Sequence, residues 1–432
     1  MVSTECIRPD EPRMGVSKED TPVSSLMARV LDRGNLRRAL KHVIHNKGTP
    51  GIDGMNVDQL PGYLKHQWPT LKDQLQTGTY HPQPVKRVTI AKPTGGERHL
   101  GVPTVIDRFI QQAVLQVLQP DWDDTFSESS YGYRPKRSAH QAVRQAQQYV
   151  RDGYRWTVDM DLEKFFDSVN HDILMQRISQ RLDDKLILTL IHRILKADIN
   201  VNGHCQPNRA GTPQGGPLSP LLANLLLDEL DKILEARGHR FARYADDCNI
   251  YVKSKRAGER VLRNLKRYLS TQLKLTINET KSAVDRPWRR SFLGFTMSPK
   301  DKRLKVSEKA IQAFKRKVRR ISRRTRGRTI YTIIADLKTY IQGWKGYFQL
   351  AEVTSPLRDL DKWIRRRLRS YHWKQWGRRG YRELRKRGVE VKLAWNTCKS
   401  AHGPWRLSKS PALYYALDNK YFADLGLPSV YQ

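Results

Sequence analysis

Apolar residues recur along the chain with two different periods, and the period changes near residue 300. Between residues 85 and 297, short segments of alternating apolar and polar positions interleave with segments of helical spacing, which predicts an α+β domain. Beyond residue 300 the strand signals fade. Ile311, Phe314, Val318 and Ile321 are spaced by three or four residues after Ser307, a suitable N-cap, so this part is predicted to be all-α.

The first region also carries the turn and capping signals that delimit single elements. The predicted helices are 25–45, 107–118, 221–230 and 257–273, and the predicted strands are 85–90, 99–104, 155–161, 274–278 and 291–295, with a hairpin over 241–252. The segments 92–98 and 211–220 contain closely spaced glycines and prolines and are predicted to be loops.

Two more amphipathic helices are predicted after residue 330. One has its apolar face over 334–344, and the other begins at Ser355-Pro356 with an N-cap and a proline in the first helical position. Residues 377–432 begin strongly basic and end polar and aromatic. Residues 1–24 are polar and without a period, so they are predicted to be a flexible lead-in.

Charge narrows the class of partner. The 432-residue chain has 79 Lys and Arg against 43 Asp and Glu, a net charge of +36. Most of this excess lies in residues 300–399, which hold 31 Lys and Arg and 8 Asp and Glu, a net charge of +23. Such an excess favours a polyanionic partner, with an anionic membrane surface as the competing interpretation. No apolar run is long enough for a membrane span and no signal peptide is recognisable. Four scattered cysteines indicate a reducing, cytoplasmic location.

Three carboxylates are the strongest candidates for chemistry. Asp161 ends one predicted strand, and Asp246 and Asp247 form the turn of the predicted hairpin. Taken alone, an Asp-Asp pair is most often an ordinary polar turn. If the strands are neighbours in one sheet, however, the three side chains converge, and this arrangement suits two divalent cations that stabilise a phosphoryl displacement.

Five other residues have both a functional and a structural interpretation. Lys92 and Arg98 border the 92–98 turn and could hold a triphosphate, or could belong to a solvated basic hairpin. Phe166 could contact a sugar or fill the core. Gln214 lies in a glycine-containing loop that permits close approach of a ligand, although it could be a plain turn residue. Lys281 could lie beside phosphates or be merely exposed.

The basic all-α region interleaves cations with aromatic rings, which is typical of nucleic-acid-binding surfaces. We expect Trp344, Phe348 and Trp363 to be core residues rather than stacking platforms, because they lie near apolar helix faces. The cations expected to bind nucleic acid are Arg316, Lys317, Arg319, Arg320, Arg365, Arg366 and Arg369.

Seven sequence blocks, in order, resemble those of bacterial group II intron-encoded proteins, which are reverse transcriptases with maturase activity. The blocks are 46–54, 88–93 with 98–103, 131–135, 161–167, 212–220, the Tyr-Ala-Asp-Asp sequence at 244–247, and 343–348. Each block is moderately specific, whereas seven in the family's order are very specific.

The resemblance implies a right-hand polymerase of α+β class with fingers, a ferredoxin-like palm and an all-α thumb, followed by a basic C-terminal region. It implies two Mg²⁺ ions held by Asp161, Asp246, Asp247 and the backbone carbonyl of Leu162. It implies that Lys92, Arg98 and Gln214 contact the nucleotide and that Phe166 excludes ribose. The implied partners are the parent intron RNA, an RNA template with a DNA primer and dNTPs, and target DNA.

The resemblance also suggests a domain plan. The expected domains are a lead-in (1–24), an N-terminal extension of the fingers (25–84), fingers and palm (85–297), a thumb or maturase domain (298–376) and a basic DNA-binding-like region (377–432). Many family members end in an HNH endonuclease with paired zinc-site cysteines, and only Cys398 lies beyond the expected thumb, so the endonuclease-lacking branch is expected. Two alternatives stay open: a domesticated or defence-associated reverse transcriptase without an intron, and a splicing factor with a vestigial polymerase core.

Overall fold

The computed structural model describes residues 25–91, 97–325 and 327–431. The predicted lead-in and Lys92 lie outside the described residues. The helices are α1 (Leu26–Leu31), α2 (Arg33–His45), α3 (Leu60–Gln76), α4 (Val105–Asp123), α5 (Ala139–Arg151), α6 (Phe165–Ser168), α7 (His171–Ser179), α8 (Lys185–Lys196), α9 (Ser219–Ala236), α10 (Lys255–Tyr268), α11 (Glu308–Ile321), α12 (Ile330–Phe348), α13 (Ser355–Trp376), α14 (Gly380–Lys386), α15 (Val391–Lys399), α16 (Pro404–Leu407), α17 (Pro411–Ala416) and α18 (Asn419–Asp424). The strands are β1 (Val85–Ala91), β2 (Glu97–Val102), β3 (Trp156–Met160), β4 (Ile199–Val201), β5 (His204–Gln206), β6 (Arg240–Tyr244), β7 (Asp247–Val252), β8 (Ala283–Asp285), β9 (Phe295–Met297) and β10 (Leu304–Val306).

A four-stranded antiparallel sheet lies at the centre, in the order β6-β7-β3-β8. Helix α9 precedes its β6–β7 hairpin and α10 follows it, which gives the strand and helix order of a ferredoxin-like fold. Helix α9 is apolar on nearly all sides and is buried, whereas α10 buries only Gly258, Val261 and Leu265. We call this the palm sheet, and its topology confirms the predicted α+β class.

A second sheet, in the order β2-β1-β4-β5, carries the β1–β2 hairpin that was predicted from the alternating pattern. Strand β1 also pairs in parallel with β4. One apolar core joins α1–α4 and α7–α10 to the inner face of the palm sheet, with Leu60, Phe109 and Leu226 among its buried members. The N-terminal helices and the palm sheet are therefore held together by shared packing.

Helices α11–α13, the thumb helices, pack around buried Phe314, Leu337 and Leu368. Helices α14–α18 follow α13 and add Leu413 and Phe422 to the same core. This core continues into α5 and the outer face of the palm sheet. Between α12 and α13, the Glu352 carboxylate accepts hydrogen bonds from the Gln147 side chain of α5 and the Leu304 backbone N–H, both at 2.6 Å.

Two predicted strands are wrong. The segment 274–278 follows a single π-helical turn at Leu269–Leu273 and begins with Lys274 in the left-handed region (φ 54°). Its backbone then holds the end of β3, because the Asn278 N–H donates to the Asp161 carbonyl at 2.8 Å. The strand predicted at 291–295 is β9, displaced by a tight turn in which Leu293 and Gly294 have positive φ.

The predicted N-cap of α13 is displaced by one residue. The N-cap is Thr354, and Ser355 is the first helical residue. Among the described residues, no helix combines the length and the apolar character that a membrane crossing requires.

Candidate active site

The palm sheet brings the three candidate carboxylates to one edge. Strands β6 and β7 are joined by a two-residue turn in which Tyr244 pairs with Asp247. Met160, the last residue of β3, pairs with Cys248, so Asp161 emerges beside Asp247. This register shows that the strands are neighbours, which the sequence-based prediction had to assume. We call residues 244–247 the catalytic turn, after the role predicted for its carboxylates.

The carboxylates repel one another. Loss of hydration, followed by the negative charges of Asp246 and Asp161, raises the pKa of Asp247 to about 7. Loss of hydration also raises the pKa of Asp246, and Asp161 adds to that shift. Asp161 itself is compensated by Lys281, whose Nζ lies 2.9 Å from its Oδ2.

Asp159, two residues before Asp161 on β3, is paired separately. Its Oδ2 lies 2.6 Å from Arg290 Nη2. This guanidinium also donates to the backbone carbonyl of Lys281. Arg290 therefore binds both Asp159 and the backbone of Lys281, whose side chain neutralises Asp161.

The site fits divalent cations by its chemistry. The three carboxylates are all-oxygen donors, which hard cations prefer. Burial and mutual repulsion raise the pKa of Asp246 and of Asp247, and a bound cation would relieve both penalties. The described residues contain no group of three or more acidic, histidine or cysteine side chains already arranged around an ion position. Lys281 instead contacts one oxygen of Asp161, Oδ2, and would compete with a cation for that oxygen.

One cavity of the described residues, of about 460 Å³, is named the nucleotide cavity here after the predicted contacts that line it; the three carboxylates are not among its lining residues. Arg98, Phe166 and Gln214, all predicted nucleotide contacts, line it. Arg98 Nε donates to Gln214 Oε1 at 2.8 Å. Phe166 is only 7% exposed, so it is both a core ring and a wall of this cavity. Lys281 lies at the carboxylates rather than in the cavity lining.

The loop that carries Gln214 is fixed to its neighbours by the backbone. The Thr212 N–H donates to the Phe166 carbonyl at 2.7 Å, and the Gly211 N–H donates to the Val169 carbonyl at 2.8 Å. Gly211 has φ 92°, and a Cβ there would lie 2.7 Å from the Phe166 carbonyl oxygen. Only glycine therefore allows this approach, which places Gln214 and Phe166 in one cavity.

Several residues of the site have no role in the sequence-based prediction. Tyr133 lines the nucleotide cavity, and its ring centroid is 6.5 Å from that of Tyr244. Gly132 packs so closely that an added Cβ would lie 2.2 Å from the Ala245 backbone nitrogen. Arg108 Nη2 donates to the Thr49 carbonyl at 2.8 Å. The only sequence signals for these residues were the 131–135 and 46–54 blocks, which resemble the family's blocks but do not assign a role to any single residue.

The predicted nucleic-acid contacts divide into two groups. Arg316, Arg319 and Arg320 are exposed on α11, and Lys317 is partly exposed. Arg365 and Arg366 are half-buried on α13, and the Arg366 guanidinium lies 3.9 Å from the Trp405 ring centroid.

Arg369 corrects the prediction. It is 2% exposed, its Nε donates to the Leu417 carbonyl at 3.0 Å, and its guanidinium lies 3.8 Å from the Tyr414 ring centroid. The α17 segment covers the face of α13 that the sequence pattern left open, so Arg369 is an internal link between the two rather than a surface cation.

The three aromatic rings expected in the core differ in burial. Phe348 is buried, with its ring centroid 4.5 Å from that of half-buried Trp344. Trp363 is half-buried and has the Arg319 and Arg367 guanidinium groups 5.5 and 5.6 Å from its ring centroid. Trp363 therefore contacts the cations of two thumb helices, Arg319 of α11 and Arg367 of α13, rather than lying wholly in the core.

Comparison with known families agrees with this geometry. The model of the reverse transcriptase (RNA-dependent DNA polymerase) family matches residues 90–297, and that of the group II intron maturase-specific domain matches residues 311–388. The first match contains all three carboxylates and the lining of the nucleotide cavity from Arg98 onward. The second contains the thumb helices, where the positive charge is concentrated.

Individual relatives cover different shares of the chain. Protein YkfC of Escherichia coli K12 is 34% identical over 289 residues, which are 58% of this chain and 76% of YkfC. The group II intron-encoded protein LtrA of Lactococcus lactis subsp. cremoris is 38% identical over 197 residues, 45% of this chain but only 33% of LtrA. A chain of a partial Cas6-RT-Cas1–Cas2 complex is 31% identical, with a TM-score of 0.37 over 58% of this chain and 43% of its own length.

The chain belongs to the family of group II intron-encoded reverse transcriptases and maturases. Its enzyme class is RNA-directed DNA polymerase, and its fold is the right-hand polymerase fold, with the palm sheet carrying the carboxylates. Enzymes of this class generally depend on divalent metal ions.

Proposed function

We propose that this protein extends a DNA primer on an RNA template, and that the RNA it copies is the group II intron from which it derives. The observation that carries the proposal is the convergence of Asp161, Asp246 and Asp247 at one edge of the palm sheet. Tyr133 connects this edge to the nucleotide cavity, because it lines the cavity and its ring centroid lies 6.5 Å from that of Tyr244 in the catalytic turn. A vestigial polymerase would be free to lose any of these groups. Here all three are present, and burial together with mutual repulsion raises the pKa of Asp246 and of Asp247, a penalty that a bound cation would relieve.

The residues of the site have separable tasks. Asp161, Asp246, Asp247 and the Leu162 carbonyl would hold the metal ions, and two bound Mg²⁺ ions supply stabilisation of the attacking and leaving oxygens. Arg98 would bind the triphosphate of the incoming dNTP. Its hydrogen bond to Gln214 keeps the guanidinium pointed into the cavity.

Phe166 and Lys281 complete the assignment. The buried Phe166 ring forms a rigid wall of the cavity, and a wall at the sugar would clash with a 2′-hydroxyl and so favour deoxyribonucleotides. Lys281 neutralises Asp161 in the free protein. Once released, its ammonium would be close enough to bind a phosphate oxygen.

The thumb helices support the role in splicing. The maturase-specific match covers them, and exposed Arg316, Arg319 and Arg320 form a basic face on α11. We propose that this face binds intron RNA and stabilises its splicing-competent fold by neutralising phosphates. The intron would then be copied into DNA at a target site, which gives the intron its mobility.

Primer extension tests the polymerase proposal. Purified protein with Mg²⁺ and dNTPs should extend a DNA primer annealed to RNA, and Asp246→Asn or Asp247→Asn should reduce extension by several orders of magnitude while leaving the fold intact. The asparagine variants keep the size of the side chain, so circular dichroism serves as the control. Wild-type protein that extends nothing, beside an active control polymerase, contradicts the proposal.

Splicing of the candidate intron tests the RNA partner. At a Mg²⁺ concentration too low for the RNA alone, the wild type and Asp246→Asn should both promote splicing, because RNA binding does not need the carboxylates. Arg316→Gln, Arg319→Gln and Arg320→Gln combined should abolish this help. A matched triple variant at the exposed cations Arg256, Arg260 and Arg263 of α10 removes the same charge from the back of the palm. If both triple variants lose assisted splicing equally, the proposal that the α11 face binds the intron specifically is refuted.

A further inference from the structure

Arg243, on β6 directly before the catalytic turn, is the largest fully buried side chain of the described residues. Its guanidinium makes a bidentate contact with Asp231 of α9, with Nε 2.8 Å from Oδ1 and Nη2 2.5 Å from Oδ2. Both residues are essentially unexposed. The remaining nitrogen, Nη1, does not pair with a charge. It donates at 3.0 Å to the carbonyl of Ala245, inside the catalytic turn.

Asn224 connects this arginine to a second segment. Its Oδ1 accepts from Arg243 Nη1 at 2.9 Å, and its Nδ2 donates to the Gly132 carbonyl at 2.8 Å. Gly132 in turn lies against the backbone of the catalytic turn. Asp231, Asn224 and Arg243 thus form one buried cluster with two connections to the turn. Arg243 donates to the Ala245 carbonyl directly, and Asn224 holds Gly132, which packs against the backbone of the turn.

The turn needs such support. Ala245 has φ 58°, a left-handed conformation that costs energy for any residue with a Cβ. A two-residue hairpin turn with positive φ at its first position normally carries glycine there. An alanine that stays in this conformation must be held by its surroundings, and the hydrogen bond from Arg243 acts on the peptide group of this residue.

We propose that Arg243, Asp231 and Asn224 are positioning residues that hold the peptide of Ala245, and through it Asp246 and Asp247, in the geometry required for nucleotidyl transfer. This inference rests on the proposed polymerase function. A buried ion pair is weak evidence for stability, since apolar residues of the same volume often serve a core equally well. What apolar side chains cannot supply is a directed hydrogen bond to one carbonyl of the catalytic turn.

The informative substitution is Arg243→Lys. Lysine keeps the charge opposite Asp231, but its single ammonium cannot contact Asp231, Asn224 and the Ala245 carbonyl at the same time. We expect kcat for primer extension to fall by about 100-fold, the order of loss that follows a shift of about 1 Å at reacting groups. The dissociation constant for the primer–template should not change, because the thumb helices are untouched.

A second readout does not depend on turnover. Binding of Mn²⁺ to the full-length protein, followed by the electron paramagnetic resonance signal of free Mn²⁺, should weaken in Arg243→Lys because two of the three carboxylates shift. Arg193→Lys is the matched control, because Arg193 of α8 also donates to a backbone carbonyl, that of Tyr80 at 2.8 Å, and has no hydrogen bond to the catalytic turn. That control should lose stability but keep the Mn²⁺ affinity and kcat of the wild type.

Asn224→Ala provides the second variant. It leaves the Arg243–Asp231 pair intact while removing the bonds to Arg243 Nη1 and to the Gly132 carbonyl, and it should lower kcat and Mn²⁺ affinity in the same direction. If either folded variant behaves like Arg193→Lys, the cluster is ordinary core and the inference is overturned. Failure of both variants to fold at 4 °C would also overturn it, since the cluster would then serve folding. A wild type without polymerase activity contradicts the proposed function instead, while its Mn²⁺ binding still tests the positioning role.

Discussion

Substituting alanine for Gly132 isolates a single steric contact with the catalytic turn. The added Cβ would lie 2.2 Å from the Ala245 nitrogen, 2.9 Å from the Tyr244 carbonyl carbon and 3.1 Å from the Ala245 Cα. All three atoms are backbone, so no flexible side chain can move aside. Gly132 does not have a positive φ, and alanine is therefore compatible with its own backbone conformation.

The displacement follows from the distances. Ordinary van der Waals contact begins at 3.4 Å, so the turn and the 131–133 segment must separate by about 1.2 Å. A misplacement of about 1 Å at reacting groups costs about 100-fold in rate, which corresponds to about 2.7 kcal/mol in activation free energy. We expect Gly132→Ala to lower kcat for primer extension by about 100-fold, while its affinity for RNA stays unchanged.

The assay compares single-turnover primer extension and RNA affinity for two variants. Gly62→Ala in α3 is the control, because no atom lies within 4 Å of its added Cβ. This substitution replaces glycine by the best helix former and should stabilise the fold by up to about 1 kcal/mol. Gly132→Ala with wild-type kcat would show that the turn can move without consequence, and the steric reasoning would be refuted.

Four further outcomes follow from the site and its surroundings. Phe166→Ala should admit ribonucleotides, and unchanged discrimination between dNTPs and rNTPs would leave Phe166 with a core role only. RNA affinity should fall by roughly 10³–10⁵-fold between 50 and 200 mM salt if six to ten phosphates are contacted, and a flat salt titration would contradict this. Burial and the neighbouring carboxylates raise the pKa of Asp247 from 3.8 to about 7 in the folded state, so the folded state binds the extra proton between these values. In EDTA, the unfolding temperature should therefore fall as pH rises from about 4 to 7 and level off above 7, and Asp247→Asn should remove this slope. Arg369→Gln should lower the unfolding temperature with little change in RNA affinity at low salt, and the reverse pattern would restore Arg369 to the RNA-binding surface.

The sequence predicted the elements that carry a strong local signal. The acidic pair between two apolar strand segments predicted the catalytic hairpin, and the spacing of Phe314 and Val318 predicted the buried face of α11. The meeting of Asp161 with Asp247 needed one further assumption, that their strands are neighbours. The register between β3 and β7 now supports that assumption directly.

The missed features depend on contacts between distant segments. Arg243 has no role in the sequence-based prediction, because its partners Asn224 and Asp231 belong to a separate element, helix α9, and no local pattern connects them with β6. Arg369 lies on a face of α13 that only the fold of residues 404–431 covers. The segment 274–278 alternates like a strand, but the left-handed Lys274 turns its backbone toward Asp161. None of these contacts has a local signature.

The core that joins the thumb helices to α5 and the palm sheet has a mechanical consequence. Rotation of the thumb away from the palm would expose buried Val143 and Tyr251 and break the contacts of Glu352 with Gln147 and Leu304. We therefore expect the thumb to keep a fixed position relative to the palm while the duplex moves past it, rather than to open and close with each nucleotide added. Spin labels on α10 and α12 should report the same separation with and without primer–template, and a change of several ångströms would show a hinge.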